Sequence, residues 1–132
     1  MANILTVTRG LPSLLYQSVE LARRLAAAGH RLTFAGDAEA RNLVEQHGLA
    51  FHCLEPSREE QFLRADAATS ALSRLLDMRR RRARARESLG LDAFVRFLRD
   101  QRPDLTLING EMHGHIIAAS AAGARVALLN SF

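Results

Sequence analysis

The residues of this sequence best suited to chemistry form the motif Glu-x-His-x-His, at Glu111, His113 and His115. A carboxylate beside imidazoles can accept and donate protons near neutral pH. The same residue types bind zinc, but a zinc site requires three or four ligands and the neighbouring sequence supplies no further one. We therefore expect no metal and take Glu111 and His113 as candidate catalytic groups. A structural alternative stays open, in which a histidine caps the helix that begins near Gly114.

Two well-known phosphate-binding motifs are missing from the sequence. The first loop, TRGLPSLLYQS, supplies only Gly10, whereas G-x-G-x-x-G requires three glycines. A G-x-x-x-x-G-K-[ST] loop is excluded because the chain contains no lysine. We therefore expect neither a bound dinucleotide nor P-loop hydrolysis, and no cofactor. Arg9 could still meet an anion beside the start of the first helix.

Length and composition favour one soluble domain. The 132 residues suit a single domain, and 48% of them are hydrophobic, which is enough to bury a core. Cys53 is the single cysteine, so no internal disulfide can form, in keeping with a reducing cytoplasm. The N-terminus MANILTVTRG lacks the pattern of a signal peptide, and no apolar run approaches the roughly 20 residues of a membrane helix. We expect a cytoplasmic protein.

The positive charge of the chain is concentrated in one run. Six of the 18 arginines lie from Arg79 to Arg86, and the other 12 are balanced by 14 acidic residues. Because the chain is not basic throughout, a nucleic-acid partner is disfavoured. Three interpretations of the run stay open: a solvated helical face or loop, a contact with an anionic acceptor, and a peripheral contact with an anionic membrane surface.

Short apolar runs alternate with longer amphipathic segments along the chain. The apolar runs predict five strands, at Asn3–Thr8, Arg31–Gly36, Leu49–Leu54, Asp104–Asn109 and Arg125–Ser131. The longer segments predict helices after the first loop as far as Ala28, at Ala38–His47, from about Arg58, at Leu91–Gln101 and at Gly114–Ala122. This order predicts an α/β fold, a Rossmann-like parallel sheet of about five strands with helices on both faces in three layers.

Helix-terminating residues support these boundaries. We expect Ser13 or Ser18 to cap the first helix and Asp37 the second, because short side chains with an oxygen bind the free amides of a first turn. Gly29 suits the end of the first helix. Ser57 and Glu60 form a capping box for the helical stretch near Arg58.

Ligands of open parallel sheets bind outside the carboxyl ends of the strands, where the strand order reverses. We expect the reversal between the first and fourth strands, so that the loops after them face each other. The candidate binding residues are accordingly Arg9, Gly10, Leu11, Pro12 and Ser13 of the first loop, and Asn109 and His115 of the fourth.

The segment NILTVTRGLPSLLYQSVELARRLAAAGHRLTFAGD resembles the opening of glycosyltransferases of the GT-B fold that act on small-molecule acceptors. Its most telling part is LARRLAAAGHRLTFAG, where a helix ends in Gly29-His30 and a strand follows. The stretch RPDLTLINGEMHGHIIAASAAGARVALLNSF is similar to a second block of that family, with Pro-Asp before a strand, an Ala-rich helix and another strand. Together the two blocks cover the whole chain.

The resemblance implies that residues 1–132 are one Rossmann-like domain, the N-terminal, acceptor-binding half of a glycosyltransferase whose donor-binding C-terminal domain is absent. Such an enzyme moves a hexose from a nucleoside diphosphate sugar to a hydroxyl acceptor in the cleft between its domains, without a metal. The chain alone would be inactive, and its partners would be a C-terminal domain or partner chain and a small-molecule acceptor. The first loop, Asn109 and His115 would contact that acceptor.

The sequence departs from this family at two positions. Many relatives carry a Gly-His pair in the first loop, where the histidine is the base, and many carry an aspartate at the end of the fourth strand that orients it. Alignment places Leu14 and Asn109 at these positions, and an asparagine cannot stabilise an imidazolium as a carboxylate does. We therefore expect Glu111 and His113 to replace the missing pair.

Other functions and assemblies stay open. The chain could be the non-catalytic subunit of a split glycosyltransferase, binding a partner donor domain and, through the Arg79–Arg86 run, a membrane acceptor. A plain nucleotide-binding or regulatory α/β module is a third hypothesis. Such a module would need an acidic or a phosphate-binding loop after its first strand, and Arg9-Gly-Leu-Pro suits neither. An uncovered sheet edge or cleft face could also support a homodimer.

Overall fold

The computed structural model describes residues 1–55 and 90–130. Its strands are β1 (Asn3–Thr8), β2 (Arg31–Asp37), β3 (Ala50–Glu55), β4 (Leu105–Asn109) and β5 (Val126–Leu129). Its α-helices are α1 (Pro12–Ala27), α2 (Arg41–Gln46), α3 (Leu91–Gln101) and α4 (His113–Ala121), with a short 3-10 helix at Ala38–Ala40. The Arg79–Arg86 run and the predicted capping box at Ser57 and Glu60 lie outside the described residues.

The five strands form one parallel sheet in the order β3-β2-β1-β4-β5. β1 lies at the centre, with Ile4 opposite Leu32 of β2 on one side and opposite Leu105 of β4 on the other. The strand order therefore reverses between β1 and β4, as the sequence predicted. The predicted Rossmann-like α/β fold is confirmed.

Helices cover both faces of the sheet. Successive side chains of a strand point to opposite faces, so strands buried on both faces are apolar at nearly every position. On one face, α1 and α2 pack on β1 and β2 through a core that includes Ile4, Leu15, Val19, Phe34 and Val44. On the other face, α3 and α4 pack through a core that includes Leu5, Val7, Phe94, Leu98 and Ile108. The three predicted layers are therefore present.

The start of α1 differs from the prediction. Pro12 occupies the first turn, Leu11 is the N-cap, and no side chain caps the helix. Proline suits this position because its fixed φ matches the helix and its missing N–H would have had no partner. Ser13 is exposed, whereas Ser18 is buried six residues inside the helix and donates to the Leu14 carbonyl at 2.8 Å. The prediction that Ser13 or Ser18 caps α1 is wrong.

The predicted second helix is divided into two pieces. Asp37 accepts a hydrogen bond from the Ala40 amide at 3.2 Å and so caps the 3-10 turn, as expected of an aspartate at this position. α2 then runs only from Arg41 to Gln46.

None of the helices in residues 1–55 and 90–130 is long and apolar enough to cross a membrane.

Gly36 allows β1 and β2 to approach closely at their carboxyl ends. It lies opposite Thr8, and the register shifts between Gly36 and Asp37. A Cβ atom at Gly36 would stand 2.1 Å from the Thr8 carbonyl oxygen, which is a backbone atom that cannot move aside. The bulge that follows turns Asp37 toward the loop after β1.

We expect Gly36→Ala to lower the free energy of unfolding by about 3 kcal/mol, because the added methyl group collides with the backbone of the central strand, β1. Gly29→Ala is the matched control. Its Cβ would meet nothing within 4 Å, and only its φ of +89° disfavours alanine, at a cost of about 1 kcal/mol. Urea unfolding followed by circular dichroism measures both variants. Equal destabilisation would show that the close approach at Gly36 relaxes easily.

Candidate functional site

An open cleft of about 400 Å³ lies between α1 and the carboxyl ends of β4 and β5. One wall is formed by α1, the floor includes Asn109, and the other wall follows β5. The residues that line it are Leu14, Gln17, Ser18, Leu21, Asn109, Leu128, Leu129 and Asn130. None of these described lining residues is charged, so the cleft combines apolar walls with neutral polar groups.

A chain of hydrogen bonds connects β1, β4 and α1 at the floor of this cleft. The Asn109 amide Nδ2 donates to Thr8 Oγ1 at 2.9 Å, and the Thr8 hydroxyl donates to the Arg9 carbonyl at 3.3 Å. Ser18 Oγ lies 2.8 Å from the Leu14 carbonyl and 3.5 Å from Asn109 Oδ1. All three side chains in the chain of bonds are at least 97% buried, so these contacts replace the water they lost.

The sheet register places these polar groups together. Val7 of β1 pairs with Ile108 of β4, so the next residues, Thr8 and Asn109, lie side by side where the strands end. Ile4 and Leu107 pack against α1, and strand alternation therefore directs Thr8 and Asn109 toward the same helix. Ser18 reaches them from one of the inward-facing positions of α1.

Asp37 holds the loop that leads into α1. Its Oδ1 atom accepts the Gly10 amide at 2.8 Å and the Ala40 amide at 3.2 Å, and the residue is only 5% exposed. A Cβ at Gly10 would come within 2.4 Å of the Glu39 Cβ, so this loop packs against the turn after β2. The carboxylate thus determines where α1 begins relative to the sheet.

The loop after β4 packs against the end of β5. The Gly110 amide donates to the Leu129 carbonyl at 2.9 Å. A Cβ at Gly110 would meet the Asn130 side-chain oxygen at 2.4 Å, so that side chain lies directly over the glycine. This contact brings Asn130 to the rim of the cleft.

The structure separates the predicted site residues. Asn109 lies in the cleft floor, but the first-loop residues are not part of the cleft lining. Arg9, Gly10 and Leu11 are partly buried, and Pro12 and Ser13 are exposed. The Arg9 Nε atom is buried and has no hydrogen-bond partner in the part of the chain that the structure describes. The acceptor contacts assigned to this loop stay predictions.

The three members of the Glu-x-His-x-His motif have different surroundings. Glu111 and His113 are exposed at the start of α4, outside the cleft lining. His115 is 99% buried, and its ring lies 5.1 Å from that of Phe94, between α3 and α4. α4 begins at His113 with Met112 as its N-cap and no side-chain capping bond, so the alternative of a capping histidine is wrong. The proposed catalytic and acceptor-binding roles remain predictions.

Sequence reasoning missed most of the cleft lining. Leu14, Gln17, Ser18 and Leu21 lie at spacings of three, four and seven, which put them on one side of a helix. That spacing was visible in the sequence. The spacing did not reveal which residues on this side of α1 pack on the sheet and which border an open space beside β5.

Other features of the described residues lie apart from the cleft chemistry. On the outer side of α1, a hydrogen bond from Arg24 lowers the pKa of Glu20 below its ordinary value, in a solvent-exposed pair of the kind that contributes little to stability. Within residues 1–55 and 90–130, no three His, Cys, Asp or Glu side chains are grouped closely enough to hold a metal ion.

Solved glycosyltransferase structures share this fold. VinC in complex with dTDP has a TM-score of 0.68 and 21% identity, over 97% of this chain and 34% of VinC. The spinosyn rhamnosyltransferase SpnG has a TM-score of 0.68 and 22% identity, over 97% of this chain and 34% of that one. SnogD from Streptomyces nogalater has a TM-score of 0.67 and 22% identity, over 98% and 33%.

This chain has the fold of part of a GT-B glycosyltransferase. It spans about a third of the length of those enzymes. No family model and no curated protein matches the sequence. Leu14 and Asn109, at the two positions where the resemblance expects a histidine and an aspartate, both line the cleft.

Two threonines of the central strands provide a matched test of the floor. Thr8 Oγ1 accepts the Asn109 amide, whereas Thr106 Oγ1 is buried without a hydrogen-bond partner among the described residues. We expect Thr8→Val to destabilise the chain by about 2 kcal/mol, because it leaves the buried Asn109 amide N–H without its acceptor. We expect Thr106→Val to stabilise the chain by about 1 kcal/mol, because it removes a buried hydroxyl that has no such partner. Chemical unfolding of both variants measures the difference. Changes of the same sign would contradict the assigned bonds.

Asp37 can be tested through the amides that it binds. In Asp37→Ala, we expect the Gly10 and Ala40 amides to exchange with solvent at least about tenfold faster, since each loses a hydrogen bond to a charged group worth about 1.5 kcal/mol or more. Asp37→Asn keeps a side-chain carbonyl and should retain most of the protection. Hydrogen exchange measured by NMR gives the rates. Unchanged protection in Asp37→Ala would show that other contacts hold the loop.

Proposed function

We propose that this chain is the acceptor-binding, N-terminal domain of a glycosyltransferase that moves a hexose from a nucleoside diphosphate sugar to a hydroxyl on a small molecule. The observation that carries the proposal is the cleft at the carboxyl ends of β4 and β5, within a fold shared with solved glycosyltransferases. Its volume of about 400 Å³ falls within the usual range of small-molecule sites. Its position is where open parallel sheets bind their ligands.

The proposed division of labour follows from what the chain offers. It spans about a third of VinC and of SpnG, and its first loop contains no glycine-rich phosphate-binding motif. In the proposal, a second domain or a partner chain holds the nucleoside diphosphate sugar, and the reaction takes place between the two. The chain by itself then binds acceptor and transfers nothing.

In the proposed reaction, a base removes the proton of the acceptor hydroxyl while its oxygen attacks the anomeric carbon, and the nucleoside diphosphate leaves. Glu111 and His113 are our candidates for this base. Both are exposed, and both follow the cleft-floor residue Asn109 within four positions. A donor domain that closes over the carboxyl edge of the sheet would cover them.

One observation favours a second candidate, the non-catalytic subunit of a split glycosyltransferase. The described lining of the cleft consists of leucine, glutamine, serine and asparagine side chains, which do not take up a proton near neutral pH. If Glu111 and His113 have no catalytic role, the chain would bind a molecule and a partner domain without performing chemistry.

Substitution of the candidate base distinguishes these functions. With the donor-binding domain supplied in the same chain or as a partner, we expect Glu111→Gln and His113→Asn to lower kcat by about 10²–10⁴-fold, the usual contribution of a general base. The acceptor KM should change little. Glu45→Gln and His47→Asn are matched controls, since this exposed pair has the same residue types at the same spacing. Unchanged turnover in the Glu111 and His113 variants would remove their catalytic role and favour the non-catalytic subunit.

A further inference from the structure

A second groove, of about 430 Å³, opens at the amino ends of β4 and β5, where α3 and α4 end. Its residues belong to the connections that lead from α3 into β4 and from α4 into β5, so it lies at the opposite end of the parallel sheet from the cleft. Two arginines stand in it among mostly apolar groups. The lining residues are Leu98, Arg99, Arg102, Pro103, Ala122, Gly123 and Ala124.

The two arginines of this groove are exposed, and their charges are not neutralised by the described residues. Neither Arg99 nor Arg102 forms an ion pair with a residue in the described ranges, although Asp100 lies between them in the sequence. The carboxylate of Asp104 accepts the Asn3 amide at 2.7 Å, and the described lining of the groove contains no carboxylate. The groove is therefore positively charged.

The backbone of Arg102 adopts a conformation that disfavours an arginine. Its φ is +42°, in the left-handed region where a Cβ atom crowds the backbone. The turns after α1, α2 and α4 reach positive φ at glycines, namely Gly29, Gly48 and Gly123, and Arg102 is the one non-glycine residue with positive φ in the part of the chain that the structure describes. Because glycine would end α3 with less strain, the Arg102 side chain is present at a cost in stability, which points to a use for it.

The helix ends at the groove indicate which kind of anion it fits. The last carbonyls of a helix have no partner within the helix and carry a partial negative charge. A phosphate ion would only add negative charge beside them. A peptide brings backbone N–H donors for these carbonyls, and its acidic side chains bring carboxylates for the arginines. Its apolar side chains can pack on Leu98, Pro103 and Ala124.

We propose that this groove binds an acidic peptide segment of a partner protein. Arg99 and Arg102 contact carboxylates of the segment, since a guanidinium binds a carboxylate through two parallel hydrogen bonds. An apolar side chain of the segment packs between the two helix ends. The proposal goes beyond the proposed function and does not depend on it, because the groove and the cleft have no lining residue in common.

Two rhodamine-labelled peptides, EDLEDLE and QNLQNLQ, form a matched pair of probes, because they share shape and leucines and differ in charge. We would titrate the 132-residue chain into each and follow fluorescence anisotropy. We expect EDLEDLE to bind at least about tenfold more tightly than QNLQNLQ. Inorganic phosphate should not displace it more than chloride does at the same ionic strength. Equal affinities, no binding of EDLEDLE, specific displacement by phosphate, or tighter binding of a single-stranded oligonucleotide of equal charge would overturn the proposal.

Two double variants separate the groove from the general charge of the chain. Arg99→Gln with Arg102→Gly should weaken the binding of EDLEDLE about tenfold. Arg23→Gln with Arg24→Gln is the matched control, since it removes the same number of positive charges from the outer side of α1. The control should change the affinity by less than about twofold. An equal loss in both double variants would assign binding to net charge and overturn the proposal.

Arg102→Gly alone separates binding from folding. Glycine accepts the left-handed conformation, so we expect this variant to raise the Tm by about 3 °C in thermal unfolding. Its affinity for EDLEDLE should fall about fivefold. Weaker binding by a more stable protein is not explained by a structural role of the arginine. An unchanged affinity, or a lower Tm, would contradict the function inferred for this side chain.

Discussion

The hydrogen bond from Asn109 to Thr8 joins β4 to β1 at the point where the strand order reverses, and the cleft depends on it. Parallel strands on either side of such a point send their connections to opposite faces of the sheet, which leaves a space beyond their carboxyl ends. Here α1 borders that space on one side and β5 on the other. With the amide bound to Thr8, the polar floor keeps one orientation, and the walls are positioned relative to it.

Close backbone contacts position the loops around this floor. Gly36 lets β2 lie directly against the Thr8 carbonyl, and the register shift after it brings the Asp37 carboxylate to the Gly10 amide. Gly110 allows a second close contact on the other side of the floor, where the Asn130 side chain lies over it. In both places a glycine is required because another backbone or side chain occupies the space of a Cβ. Loops anchored in this way vary little in position, and a preorganised site needs less ordering when a ligand binds.

The cleft combines this rigid floor with a lining that carries no charge among its described residues. In the proposed glycosyltransferase, proton transfer therefore falls to groups outside the lining, such as Glu111 and His113 at the exposed start of α4. Binding and chemistry would then be separated by a few residues of one loop. Closure by a donor-binding domain would bring them together, with the cleft holding the acceptor and the loop facing the incoming sugar.

The sequence by itself determined the order of strands and helices, because buried strands and amphipathic helices have different apolar periods, and it placed the reversal between β1 and β4. It also predicted that Asn109 lies where the fourth strand ends, and it identified Asp37 as a cap. Only the tertiary structure decided that Ser18 belongs to the cleft floor rather than to a helix cap, and that His115 lies in the core against Phe94. The physical reason is that spacing along a helix shows which residues share a face. What that face meets depends on strands distant in the sequence.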